Sequence, residues 1–308
     1  MTWLRFGEFV QYKVTSGYGS GSARRPFHPQ TPDHMRKTPI LLALCGCMSA
    51  PPLYASFEPV PVDPRGVAMS GSLAAVAGDV FGMRYNPAAP SLSKGLAIGA
   101  AGTVPYSDNS LLTASGAASW KGLPFDPDGA IYASARRFAP NGYRELTVSG
   151  GYARRLSSSI HAGISASRMS LGVTGMPDRE TTGIDAGVMA ELRPGLILGI
   201  ACLNLNSPRT GLDNPLPRTT LAGVSYRFEN GNLLTANAQG DPDRPGRLLA
   251  AGEFRIMPSV VLMTGAGTNP SVVSAGTAVT MNAVRATVAF SRNLDLGTTA
   301  AFGVETVW

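Results

Sequence analysis

One pattern recurs fourteen times between residues 94 and 308: apolar residues alternate with small or polar ones over a short stretch, which turn residues then interrupt. A period of two is typical of β-strands, because successive side chains point to opposite faces of a sheet. Most segments are near the roughly 9–11 residues that a tilted strand needs to cross a bilayer. The predicted strands are 94–105, 111–122, 129–139, 143–156, 159–174, 182–193, 196–206, 217–229, 232–240, 247–257, 260–268, 271–281, 283–293 and 296–308.

The two faces of these segments differ in chemistry. In residues 184–192, apolar side chains from Ile184 to Leu192 share one face, whereas Asp185 and Glu191 lie on the other. A barrel wall in lipid has an apolar outer face and a polar inner face, so the second face is expected to line a lumen. The predicted lumen-facing charges are Asp185, Glu191, Glu253, Arg255, Arg285 and Glu305. A soluble periplasmic β-sandwich has the same alternation and is the alternative fold.

Two further features favour the barrel. The predicted connections after even-numbered strands are mostly two residues long, such as Asn230-Gly231, and several after odd-numbered strands are longer, as in outer-membrane barrels. The last segment, "LGTTAAFGVETVW", ends the chain on an aromatic residue. Phe302, Val304 and Trp308 on its apolar face resemble the assembly signal of bacterial outer-membrane barrels. The sequence therefore predicts an all-β chain: a transmembrane antiparallel β-barrel of about fourteen strands.

The first 55 residues have a different organisation and carry most of the formal net charge of +6. Residues 35–55 begin with a basic pair, continue with an apolar core and end on small residues, which predicts a signal peptide cleaved near Ala55. Residues 1–34 are interpreted as a mis-annotated or disordered extension. Lipidation at Cys47, within "LCGC", is an alternative, and a buried apolar helix is another.

The exported part shows no pattern that points to catalysis or to a metal. His161 is its one histidine and shares a strand face with Ser159 and Ser165, but residues two apart on a strand are not aligned for proton transfer. Zinc-ligand spacing and a phosphate-binding glycine loop are both missing. We predict no catalytic residue, metal or cofactor, and a nearly neutral body argues against a nucleic-acid partner. The paired aspartates in "DPDG" and "GDPDRPG" are expected to form turns.

Residues 56–93 do not alternate, and their small residues, Asp79 and an Asn-Pro pair predict a compact plug. The segment resembles the front motif of the FadL-like and PorV/PorQ-type outer-membrane proteins, a hatch that precedes the barrel. The segment departs from that motif at four positions: Ser70 replaces a glycine, Gly78 replaces an aspartate, and Ala89-Pro90 replaces Gly-Leu. Residues 289–304, "AFSRNLDLGTTAAFGV", also look like the end of PorV/PorQ-type proteins. The hatch-motif residues are Gly66, Gly71, Asp79, Arg84, Asn86, Pro87 and Ala88.

The resemblance implies a fourteen-stranded barrel, residues 94–308, with the N-terminal hatch, residues 56–93, inside its lumen. It also implies an outer-membrane channel that passes or binds small hydrophobic molecules. The alternative is a non-transporting partner in type IX secretion or envelope assembly. The expected partners are outer-membrane lipids, the barrel-assembly machinery and hydrophobic small molecules or secretion-system proteins. Within the barrel, Arg255 and Arg285 are each expected to meet a hatch carboxylate.

Overall fold

The computed structural model describes residues 56–58, 60–210, 215–242 and 244–306. The predicted extension and signal peptide, with Cys47, lie outside the described residues, as does Trp308. Across the described ranges, no helix has both the length and the hydropathy to cross a membrane.

Fourteen antiparallel strands form one closed barrel, in which each strand pairs with its neighbours in sequence and β1 pairs with β14. The prediction of a fourteen-stranded antiparallel barrel is confirmed, and every described strand begins and ends within three residues of its predicted limits. A single closed sheet excludes the sandwich, which needs two sheets. The strands are β1 Leu96–Val104, β2 Thr113–Leu123, β3 Asp126–Phe138, β4 Tyr143–Arg155, β5 Ile160–Val173, β6 Arg179–Arg193, β7 Leu196–Leu203, β8 Thr219–Arg227, β9 Leu233–Asp241, β10 Arg244–Met257, β11 Val260–Gly267, β12 Val272–Met281, β13 Val284–Asn293 and β14 Gly297–Thr306.

The two ends of the barrel carry different connections. At one end the chain turns in two residues after β2, β6, β10 and β12, and in four or five after β4 and β8. The predicted long connection 123–128 is wrong, because β3 begins at Asp126 and leaves residues 124 and 125 as the turn. At the other end, the connection from β7 to β8 spans residues 204–218 and that from β1 to β2 spans 105–112. We call this the loop end.

Large apolar side chains cover the outer face of the wall. They are at least one-third exposed, although they occupy mid-strand positions where the opposite face is buried. The alternation therefore places apolar side chains on the outer face and small or polar side chains on the inner face, as the sequence predicts. Examples from ten strands are Ile98, Ile131, Val148, Ile164, Val188, Ile200, Val224, Leu234, Leu262 and Val288.

Residues 56–93, which we call the inner segment, contain the short helix α1, Pro64–Ala68, and two 3-10 turns, Gly82–Arg84 and Ala89–Leu92. Asp63 is extended, and its carboxylate accepts from the backbone N–H of Gly66 at 2.7 Å, so it caps α1. Pro64 at the first helical position has a φ already suited to a helix. The "DPRG" stretch therefore starts the helix that carries Arg65.

The connection between β1 and β2 forms two further 3-10 turns, Pro105–Ser107 and Asn109–Leu111. Asp108 caps the second turn by accepting from the Ser110 N–H at 2.9 Å. This connection is part of the loop end and borders the larger of the two cavities described below.

Candidate functional site: the inner segment and two cavities

The backbone of the inner segment packs directly against glycines on several strands of the barrel wall. A Cβ added to Gly163 on β5 would lie 2.1 Å from the Pro87 carbonyl oxygen, and one added to Gly199 on β7 would lie 2.0 Å from that of Ala74. A Cβ on Gly265 of β11 would lie 2.6 Å from the Met69 carbonyl carbon. Contacts with strands on opposite sides of a closed barrel require the segment to lie within its lumen. Further close contacts are made at Gly99, Gly187, Gly223, Gly276 and Gly303.

A buried ion cluster joins the inner segment to β10. The Arg65 Nε donates to Glu253 Oε1 at 2.6 Å, and its Nη1 lies 3.5 Å from Asp79 Oδ2. All three side chains are at most 9% exposed. Neighbouring carboxylates, led by Glu253, hold the pKa of Arg65 above its usual value despite burial. Asp79, named in the hatch motif, is therefore neutralised within the inner segment itself.

Asp63 and Tyr85 form a second buried contact next to this cluster. The Tyr85 hydroxyl donates to Asp63 Oδ2 at 2.6 Å. A Cβ added to Gly66 would lie 1.7 Å from the Tyr85 hydroxyl oxygen, so this glycine of the motif is required by close packing. Burial and the nearby Asp79 raise the pKa of Asp63 to about 6.

Other motif residues fix the path of the inner segment. The buried Asn86 amide donates to the Ala74 carbonyl at 2.8 Å and to the Val188 carbonyl of β6 at 3.2 Å. Its oxygen accepts from the Ala88 N–H at 3.0 Å. Gly71 has a φ of +81°, and Ser70 has a φ of +52°, which is the region that favours glycine. This explains why a glycine is usual where the chain has Ser70, whose hydroxyl lies 2.7 Å from that of Ser274.

The predicted lumen-facing charged residues differ in their partners and in their exposure. Glu253 binds Arg65, and Glu305 accepts from the Val80 N–H at 3.2 Å while Arg285 lies 3.2 Å from its other oxygen. Arg285 thus pairs with a wall carboxylate and not with one on the inner segment, contrary to the expectation. Arg255 is exposed, and its side chain forms no ion pair with a described hatch carboxylate, so that expectation is also wrong. Asp185 lines a cavity, and Glu191 is half-buried on β6.

Sequence reasoning missed Asp63, Arg65 and Tyr85, although the helix-cap signature of "DPRG" was available as a signal.

The structure also places the histidine and the two residues of the predicted assembly signal that it describes. His161 is buried, and its Nδ1 lies 2.8 Å from the Ser91 hydroxyl of the inner segment. Phe302 and Val304 lie exposed on the outer face of β14.

Two cavities lie at the loop end and share part of their lining, which includes Glu58 and residues 60–62 of the inner segment. The larger cavity has a volume of about 510 Å³ and a mainly apolar lining, to which Val62, Val67, Tyr106 and Val272 contribute. Charged side chains also border it, namely Glu58, Asp241, Arg244 and Arg247. We call it the apolar cavity. The smaller has a volume of about 170 Å³ and is lined by many serine and threonine hydroxyls. We call it the hydroxyl-lined cavity.

The comparisons with known proteins identify the fold. No family model matches the chain, and no curated protein matches its sequence. Among solved structures, the chain is similar to the Ralstonia pickettii toluene transporter TbuX, with 11% identity and a TM-score of 0.64 over 82% of this chain and 100% of that one. It is also similar to the CymD monoaromatic hydrocarbon channel, with 13% identity and a TM-score of 0.61 over 82% and 99%.

A Pseudomonas aeruginosa FadL homologue matches at 12% identity and a TM-score of 0.57, over 81% of this chain and 98% of that one. These matches support the FadL-like part of the resemblance. They give no support to the PorV/PorQ name or to the alternative role in secretion. The barrel of this chain therefore has the fold of the FadL-like hydrocarbon channels and transporters.

Proposed function

We propose that this protein is an outer-membrane channel that passes small hydrophobic molecules, with the inner segment as its plug. The observation that carries the proposal is the apolar cavity, whose volume lies within the roughly 300–1,000 Å³ usual for small-molecule sites. The similar structures are described as a toluene transporter and a monoaromatic hydrocarbon channel, which supports the same class of solute.

The outer face of the wall supports a membrane location. Its exposed apolar side chains continue around the barrel, far beyond the few hundred Å² of apolar patch usual on a soluble monomer. Charged residues on the same face occur near the strand ends, such as Arg144 at the loop end and Arg154 at the other. This distribution matches an apolar band between two polar interfaces.

The cavity lies at the end where solute would enter from outside the cell. With an even number of strands, the start of β1 and the end of β14 both lie at the end with the shorter turns, which is the periplasmic end in outer-membrane barrels. The loop end is then external. Val67 of the inner-segment helix α1 and Val272 of β12 both contribute to the cavity lining. A hydrophobic solute would therefore collect directly above the plug.

Filling the apolar cavity should reduce uptake of toluene. We expect Val272→Trp to lower the initial rate of radiolabelled toluene uptake by about tenfold in Gram-negative cells that depend on this protein for uptake. The larger side chain would occupy the cavity, and such overpacking changes the free energy of a site by about 1–3 kcal/mol. Val273→Trp is the matched control: the adjacent residue is 55% exposed on the outer face of β12. That variant should retain wild-type uptake.

Equal uptake by the two variants would contradict the proposed route. Wild-type uptake no faster than in cells without the protein would contradict it as well. Heat-modifiable migration on gels checks that both variants fold and insert. An intact barrel with undiminished uptake in Val272→Trp would show that hydrophobic solutes do not pass through this cavity.

A further inference from the structure

The hydroxyl-lined cavity has a chemistry that a hydrocarbon channel does not need. Hydroxyl-bearing side chains from four strands face it, beside apolar groups such as Met83 and Leu221. A volume of about 170 Å³ is too small for a long acyl chain but sufficient for a few heavy atoms and water. The serine and threonine residues that the strands contribute to the lining are Ser134, Thr147, Ser149, Ser165, Ser167 and Thr219.

Arg84, a residue of the hatch motif, brings an unpaired positive charge to this cavity. Its guanidinium forms no hydrogen bond or ion pair with any described residue, and its Nη1 is fully buried. Burial and repulsion by Arg136 lower the pKa of Arg84 to about 10, so it stays protonated at neutral pH. Asp63 attracts the half-buried Arg84 electrostatically but forms no ion pair with it among the described contacts, so a bound anion would offset the remaining cost of burying this charge.

A second unsatisfied group lines the same cavity. The Thr219 hydroxyl on β8 is buried without a hydrogen-bond partner among the described residues, and the residue is 2% exposed. Buried polar atoms in native structures are normally satisfied by protein, water or a ligand. Arg84 and Thr219 thus place two enclosed, unsatisfied polar atoms in the wall of one small space, and an anion would reach them after a small side-chain rotation.

The other charges that border the cavity already have partners. Arg136 lies 3.2 Å from a Glu145 oxygen, and Glu58 binds Arg244 at 2.8 Å. Asp185 accepts from the Ser165 hydroxyl at 2.9 Å and from the Asn204 N–H at 2.8 Å. Arg247, which also borders the cavity, donates to the Thr268 carbonyl at 3.3 Å. Arg84 is therefore the lining cation that lacks a described partner.

We propose that the hydroxyl-lined cavity binds a small oxyanion, whose carboxylate or phosphate oxygens accept from the Arg84 guanidinium and from the surrounding hydroxyls. The planar guanidinium fits both groups, because its parallel N–H bonds match two oxygens of either one. The Thr219 hydroxyl would donate to the same anion. Arg84 and Thr219 line the hydroxyl-lined cavity and not the apolar cavity, so the oxyanion site does not depend on the proposed hydrocarbon route.

Calorimetric titration of the detergent-purified full chain tests the proposal with acetate, inorganic phosphate and chloride. We expect saturable binding of acetate or phosphate with one site per chain, and the tighter of the two identifies the preferred oxyanion. Arg84→Met should weaken that binding by about tenfold or more, because it removes charge-assisted hydrogen bonds. Thr219→Val should weaken it by about twofold to tenfold.

Arg154→Met is the matched control, because Arg154 is exposed and pairs with Asp126 at the opposite end of the barrel. This variant should bind like the wild type. Absence of saturable binding, equal affinity in wild type and Arg84→Met, or chloride binding as tight as either oxyanion would each overturn the proposal. If Arg84→Met fails the heat-modifiable migration test, unchanged affinity in both Thr219→Val and Ser134→Ala would overturn it instead.

Discussion

Replacing Arg65 with methionine should destabilise the folded barrel by about 3–5 kcal/mol, the usual cost of removing one partner from a buried ion pair. The substitution leaves the carboxylates of Glu253 and Asp79 in a region where neither side chain is more than 9% exposed. Arg227, at 3.8 Å from the second Glu253 oxygen, is too distant and too exposed to replace Arg65. Unfolding in urea, followed by heat-modifiable gel migration of protein in lipid vesicles, measures the change.

Arg168→Met is the matched control for this substitution. Arg168 pairs with Glu180 on the outer face, where the side chains are 71% and 48% exposed, so its removal should cost only about 0–1 kcal/mol. Combining Arg65→Met with Glu253→Gln should recover part of the lost stability, because one stranded carboxylate is then neutral. A cost for Arg65→Met no larger than for Arg168→Met would show that the ion cluster does not hold the inner segment to β10.

The strands could be predicted from the sequence because each strand carries its own signal. In β6, the alternation from Ile184 to Leu192 follows from the contrast between lipid and lumen, and it needs no knowledge of other strands. Turn residues such as Asn230-Gly231 then separate neighbouring strands. The limits of β3 were missed at Asp126, because Asp and Pro are poor strand formers and β3 begins with both.

The contacts of the inner segment could not be predicted in the same way. Arg65 meets Glu253 across 188 positions of sequence, and no local pattern encodes that pairing. The motif did point to Asp79 and Arg84, but it could not show that Asp79 pairs within its own segment while Arg84 stays unpaired. Likewise, the sequence identifies Gly199 only as a small residue on the inner face. The structure is needed to show that the Ala74 carbonyl packs against it.

Gly199→Ala should destabilise the protein by about 3 kcal/mol, the upper end of the usual cost of overpacking. The added Cβ would lie 2.0 Å from the Ala74 carbonyl oxygen and 2.7 Å from its carbon. Backbone atoms cannot rotate away as a side chain can, so β7 or residues 74–75 must shift. The same urea unfolding assay measures the loss.

Gly150→Ala separates this clash from the general effect of a methyl group in a strand. Gly150 is exposed on β4, and its added Cβ would have no neighbour closer than 3.8 Å, so the substitution should be neutral or slightly stabilising. If both variants unfold alike, the inner segment does not press against β7 as closely as the contact implies. A selective loss in Gly199→Ala would mean that the wall is shaped around a plug in place. Such a plug could not slide along β7 without separating from it first, which favours solute movement past the segment over movement of the whole segment.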